Sequence, residues 1–131
     1  MMRLVPRAAV FALLSIAVSA GTAGAQTDWT RIAALYDALA QLVPSPVVEL
    51  NRAVAVGMAF GPEAGLELAD ALLAEPSLKT YHLLPSVRGD LLEKLGRAGE
   101  ARAEFERAAA LTRNAREREL LLARAAAQVP T

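Results

Sequence analysis

From Thr27 to the end of the chain no stretch alternates apolar and polar residues with period two. Apolar residues recur instead at three- and four-residue spacing, between breaks of proline and glycine. Period two is what a half-buried strand requires, whereas three-and-four spacing lays one apolar stripe along a helix. The pattern therefore predicts an all-α fold. Composition agrees: 54 % of the 131 residues are hydrophobic but only 5 % aromatic, and the abundant alanine and leucine lose little side-chain entropy in a helix.

The punctuation divides the chain into six predicted helices. The first covers residues 27–43, with Thr27 as its cap, Asp28 in its first turn, and Ile32, Leu35, Tyr36, Leu39 and Leu42 on one face. Pro44-Ser45-Pro46 ends it and starts a second over 46–59, where Val47, Leu50, Val54 and Met58 form a stripe widened by Val48, Ala53 and Val56. That wide stripe predicts a central helix. Gly61-Pro62 opens a third over 62–74, and the turn at Pro76-Ser77 precedes a fourth over 79–95. Pro85 lies inside this fourth pattern, so the helix either starts there or kinks. Gly96 is its predicted left-handed C-cap. A fifth spans 98–112 and a sixth 115–127, the latter rich in charge around Leu120, Leu121 and Leu122, as a solvated cap would be.

Residues 1–25 are of another kind. Arg3 and Arg7 precede a thirteen-residue apolar run (8–20, AAVFALLSIAVSA), and Ala23-Gly24-Ala25 supplies small residues before Gln26. This is the layout of a secretory signal peptide, and the run is shorter than the roughly 20 residues that cross a bilayer. The predicted division is a leader, 1–25, and a helical domain, 26–131. Cleavage would remove two of the 14 basic residues and no acid, leaving 12 against 14. Location follows from the leader: periplasmic or secreted if it is a true signal, cytoplasmic if the start is misassigned.

Segments of the helical part resemble one another. Glu63-Ala64 with Leu68 and Ala71 matches Glu100-Ala101 with Phe105 and Ala108 at an offset of 37, and Ile32, Tyr36 and Leu39 give a weaker copy 32 residues before the first. A small residue followed four positions later by a large one lets paired helices nest. Such pairs bury their apolar faces only by stacking. With Gly89-Asp90-Leu91-Leu92 and Gly96, the pattern resembles the tetratricopeptide repeat, and predicts a stack of five to six antiparallel helices.

A narrower resemblance rests on Thr27-Asp28-Trp29, Leu35-Tyr36-Asp37-Ala38-Leu39, Pro44-Ser45-Pro46-Val47-Val48, Leu50-Asn51-Arg52-Ala53-Val54-Ala55-Val56 and Tyr81-His82-Leu83-Leu84, followed by Asp90-Leu91-Leu92 and Leu95-Gly96-Arg97. In this order they resemble the tetratricopeptide-like C-terminal extension of a group of extracytoplasmic-function sigma factors, over residues 27–127. The resemblance implies a bacterial, regulatory, protein-binding domain in transcription, with a sigma factor or RNA polymerase as partner. Nothing before Thr27 resembles the domains that bind polymerase and read promoters, so promoter recognition does not carry over. Pro85 and Gly89 stand where the family keeps better helix formers, which puts that helix in doubt. An exported helical scaffold with unrelated partners and a truncated sigma-factor gene are the rival histories.

Candidate partner-binding residues are Asn51 and Arg52, polar in an apolar helix; Tyr81 and His82, which open the fourth; and Asp90 and Lys94, with Glu93 between them, on the face such repeats present inward. The guanidinium of Arg52 can hold a carboxylate, or it can pair internally with Asp37 or Asp70. Trp29 can anchor a partner or fill the core. His82 is the only histidine and there is no cysteine. Paired-imidazole metal sites and thiol chemistry are thereby excluded, no GxSxG elbow is present to build a Ser-His-Asp set on this single imidazole, and Gly57, Gly61 and Gly65, broken by Pro62, make no phosphate loop. No enzyme activity, cofactor or metal is predicted. Formal charge is zero with no long basic run, so direct nucleic-acid binding is disfavoured. Residues 26–87 carry 3 basic and 7 acidic side chains against 9 and 7 in 88–131, a polarity suited to orienting a partner or to head-to-tail self-association.

Overall fold

The computed structural model describes residues 27–129; the predicted leader lies outside them. Among the described residues there are six α-helices, two short 3-10 turns and no strand. Helix α1 (Trp29–Leu42) is capped by Asp28, whose carboxylate accepts from Arg31 N at 3.0 Å. The cap is therefore Asp28 and not Thr27, whose carbonyl instead accepts from Trp29 N at 3.0 Å, outside the helix. Helix α2 (Pro46–Phe60) starts on proline, where the missing N–H costs nothing. Gly61 alone, at φ +108°, links it to α3 (Pro62–Ala71). The predicted third helix tightens at its end into a 3-10 turn, Leu72–Ala74.

The predicted fourth helix is shorter than its apolar pattern. Glu75 caps a 3-10 turn, Pro76–Leu78, by accepting from Ser77 N at 3.3 Å and Ser77 Oγ at 2.8 Å. α4 then runs Leu83–Lys94. A helix entered at residue 79 would drive the ring of Pro85 into the Tyr81 carbonyl. Starting at Leu83 puts Pro85 in the first turn, where its N–H is not needed. Gly96, at φ +75°, closes α4: its N–H reaches Glu93 O at 3.0 Å and that of Arg97 reaches Leu92 O at 2.9 Å, the two bonds of a Schellman cap. α5 (Ala98–Leu111) hands over to α6 (Ala115–Ala126) through Asn114, whose side chain accepts from Glu117 N at 2.9 Å. Arg118 reaches back to Ala109 O and Thr112 O at 3.2 and 2.8 Å, satisfying carbonyls that the end of α5 leaves free.

Each helix packs chiefly against the next in sequence, and α2 also touches α4. The core follows α2 to α6: Leu50, Ala53, Leu66, Ala69, Leu84, Leu91, Leu92, Ala101, Phe105 and Ala108 are buried in it. Phe105 and Leu92 are its largest fully enclosed side chains. Phe105 has room because residue 89 is glycine, where a Cβ would stand 2.7 Å from the ring. Gly89, a poor helix former by propensity, is thus the small partner of the large residue. Gly65 does the same for α2 and α3, since its Cβ would lie 2.7 Å from Ala53 O.

α1 departs from expectation. Of its predicted apolar face, Ile32, Tyr36 and Leu39 are half-buried, but Leu35 is 61 % and Leu42 75 % exposed; Ala33 is the residue it buries. The reason is position: among the described residues α1 packs chiefly against α2. Burial still pushes the Tyr36 phenol pKa upward. Trp29 is half-buried. No helix among the described residues is long and apolar enough to cross a membrane.

Candidate functional site

The candidate residues fall in three separate places. Asn51 and Arg52 are neighbours in α2 but face differently. Asn51 is only 3 % exposed, donating Nδ2–H to Val47 O at 2.8 Å, while its Oδ1 is buried without a hydrogen-bond partner among the protein's atoms. Arg52 lies at the α1–α2 seam, 3.4 Å from Asp37 and 3.2 Å from Glu49. Asp37 is the first of the two internal partners considered above. Asp70, the second, is engaged by Arg88 instead.

Tyr81 and His82 border a polar cleft with Ser77 and Thr80 on one side and Thr112, Asn114 and Glu117 on the other. The His82 imidazole pairs through Nε2 with Glu117 and meets the Tyr81 ring edge-on, at 6.0 Å between centroids. His82 thus ties the start of α4 to α6. Among the described residues no group of His, Asp and Glu is arranged to hold a metal ion.

Asp90 and Lys94 belong to the third place, a groove formed by the even-numbered helices. Val54, Gly57 and Met58 of α2 face Ser86, Val87, Asp90, Leu91 and Lys94 of α4, and Arg124 closes the end from α6. Its floor is apolar. The enclosed space, about 200 Å³, suits one or two side chains and falls short of the 300–1,000 Å³ typical of small-molecule sites. Charge sits on one wall and is paired there. Asp90 receives Lys94 and Arg124, each at 3.0 Å, and Glu93 receives Arg124 at 3.2 Å and also Gln128. The guanidinium carbon of Arg124 lies over the Phe105 ring, 4.3 Å from its centroid, and Lys94 Nζ reaches Met58 Sδ at 3.6 Å.

Sequence reasoning found Asp90, Glu93 and Lys94 but not Val54, Met58, Val87 or Arg124. Val54 and Met58 belong to the apolar stripe of α2, yet Met58 is 43 % exposed. Nor does the sequence single out Arg88, which joins three helices: it bonds Asp70 of α3 at 2.9 Å and pairs with Glu104 of α5 at 2.8 Å. Burial opposes its charge, but the bond to Asp70 and the charge and bond of Glu104 outweigh that and hold the guanidinium more firmly protonated than usual.

A protein of Rhizobium meliloti (strain 1021), described only as uncharacterized, is 53 % identical over 92 residues, covering 70 % of this chain and 21 % of the relative. The chain thus spans about a fifth of the length of that relative. No family model matches the chain, and no solved structure does.

Proposed function

We propose that this chain is a non-catalytic protein-binding module: a tetratricopeptide-like stack akin to the regulatory C-terminal extension of extracytoplasmic-function sigma factors, without the polymerase- and promoter-binding domains. The observation that carries the reading is the groove shared by α2, α4 and α6. Its apolar floor of Val54, Val87 and Leu91 and its self-neutralised wall suit an apolar side chain of a peptide or helix better than a metabolite. By the resemblance, the partner is a sigma factor or RNA polymerase.

The test is titration of the purified chain with core RNA polymerase and, separately, with a sigma factor from the same organism. Met58→Glu places a charge at the groove mouth at an already exposed position. Binding that weakens at least about tenfold with an unchanged melting curve supports the reading. No binding to either protein, or binding indifferent to Met58→Glu, removes it. Arg3, Arg7, the apolar run 8–20 and Ala23-Gly24-Ala25 favour a second setting for the same module, as an exported scaffold. Intact-mass measurement decides between them: a mature N-terminus at Gln26 requires export, and a retained leader in a soluble fraction excludes it.

A further inference from the structure

Two exposed stripes stand on the first and last described helices. On α1, Arg31, Leu35, Ala38 and Leu42 follow a 4-3-4 spacing and all face solvent; on α6 and its C-cap, Arg116, Leu120, Ala123 and Ala127 do the same. That spacing gathers four residues onto one narrow helical seam. Leu35 is 61 %, Leu42 75 % and Leu120 58 % exposed. Among the described residues each of the two helices has a single main neighbour, α2 for α1 and α5 for α6, and these stripes face away from it. A helix stack normally ends in a polar outer face; α6 and the residues just before it do expose Arg113, Arg118 and Glu119, yet Leu120 and Leu122 stay open beside them, and α1 leaves Leu35 and Leu42 open.

We propose that the stripe of α6 in one copy docks on the stripe of α1 in another, so that copies of this chain associate head to tail. Packing order favours it: among the described residues each helix packs chiefly against the next in sequence, and α1 of the next copy beside α6 continues that order. Charge favours it too. Residues 27–87 hold 3 basic and 7 acidic side chains, a balance of −4, and 88–129 hold 9 and 7, a balance of +2. Basic end meets acidic end in a head-to-tail contact, whereas a two-fold pairing of α1 with α1 sets acidic half against acidic half. Antiparallel packing also brings Arg116 beside the C-terminus of α1, which has no basic residue in its last turn, and Arg31 beside the C-terminus of α6. Both are places where a cation is favoured. A contact between unlike surfaces leaves one stripe free at each end of a dimer, so association continues beyond it, into a ring or a filament.

The inference stands apart from what the groove binds and is tested on the full chain alone. Sedimentation velocity over a wide concentration range is expected to show growth past dimer that weakens with salt. Leu35→Glu and Leu120→Glu are surface changes, and circular dichroism checks that each variant is folded. Alone, each is expected to be monomeric, with association weakened at least about tenfold. Mixed in equal amounts they are expected to form a dimer and nothing larger, because each variant keeps one intact end. A wild-type chain that stays monomeric at its highest soluble concentration overturns the proposal. So does Leu120→Glu that still associates, as α1–α1 pairing requires, or a mixture that fails to recover the dimer.

Discussion

Replacing Gly89 by alanine sets two effects against each other whose sizes can be worked out. In an exposed helix interior the change stabilises by about 1 kcal/mol, through backbone entropy. At Gly89 the added Cβ would lie 2.7 Å from Phe105 Cε1 and 2.8 Å from Cδ1, against an optimum near 3.5–4.0 Å. The ring cannot easily yield, since Phe105 is fully buried and Arg124 lies over it at 4.3 Å. Overpacking of this kind costs about 1–3 kcal/mol. With so little room the upper part of that range applies, so Gly89→Ala should destabilise by about 1.5 kcal/mol net. For a domain of this size that lowers Tm by about 6–12 °C. Gly99, in the first turn of α5, has nothing within 4 Å of an added Cβ, and Gly99→Ala should raise stability by about 0.5 kcal/mol. Thermal and urea melts followed by circular dichroism compare the two. A Gly89→Ala protein that melts at or above the wild type would refute the claim that this glycine is kept for the close approach of α4 and α5.

Three further outcomes are expected. Arg88→Met leaves Glu104, whose side chain is 13 % exposed, without its cation and should cost about 2 kcal/mol. A double-mutant cycle with Glu104→Gln measures the coupling, and additivity of the two changes would remove the pairing from the account. Arg52→Ala loses partly exposed pairs to Asp37 and Glu49 and should cost about 0.5–1 kcal/mol in melting experiments; a loss several times larger would show that the α1–α2 seam depends on it. The paired hydrogen bonds from Arg97, at 3.0 and 2.5 Å, hold the Glu100 carboxyl below its ordinary value of 4.5. A depressed folded-state pKa adds stability above the unfolded value and loses it as pH falls through the folded one. Glu100→Gln should therefore flatten the acid side of the stability profile below about pH 4.5 and do so less at high salt, as urea titrations across pH will show.

The helices were legible because proline and glycine mark their ends and apolar spacing marks their faces. Where reading failed, the missing information was three-dimensional. The pattern of α1 groups Leu35 and Leu42 with Ile32 and Tyr36, but periodicity tells which residues share a face and not whether a neighbour covers it. Helix-like spacing over residues 79–82 was overruled by the ring of Pro85, which fixes where α4 can begin. Gly89 looked like a flaw in α4 until Phe105, sixteen residues on, was seen to occupy the space. At the candidate groove, Asp90 and Lys94 were visible as charges on a helix face. Val54 and Val87 resemble any core valine in sequence, and Arg124 joins them only through contacts 31 and 34 residues away.

If the groove takes a partner as proposed, the Arg124 wall also sets what kind of discrimination it can exercise. Its two carboxylates already hold a guanidinium, an ammonium and an amide. An incoming charged group must displace one of these to gain another of similar strength, so the exchange yields little. Selection then passes to the contour of the floor between Val54, Val87 and Leu91, where a misfitting side chain finds no compensating ion pair. On the proposed reading, a surface of this design would tell partners apart by shape, at salt concentrations that would silence a charge-reading one.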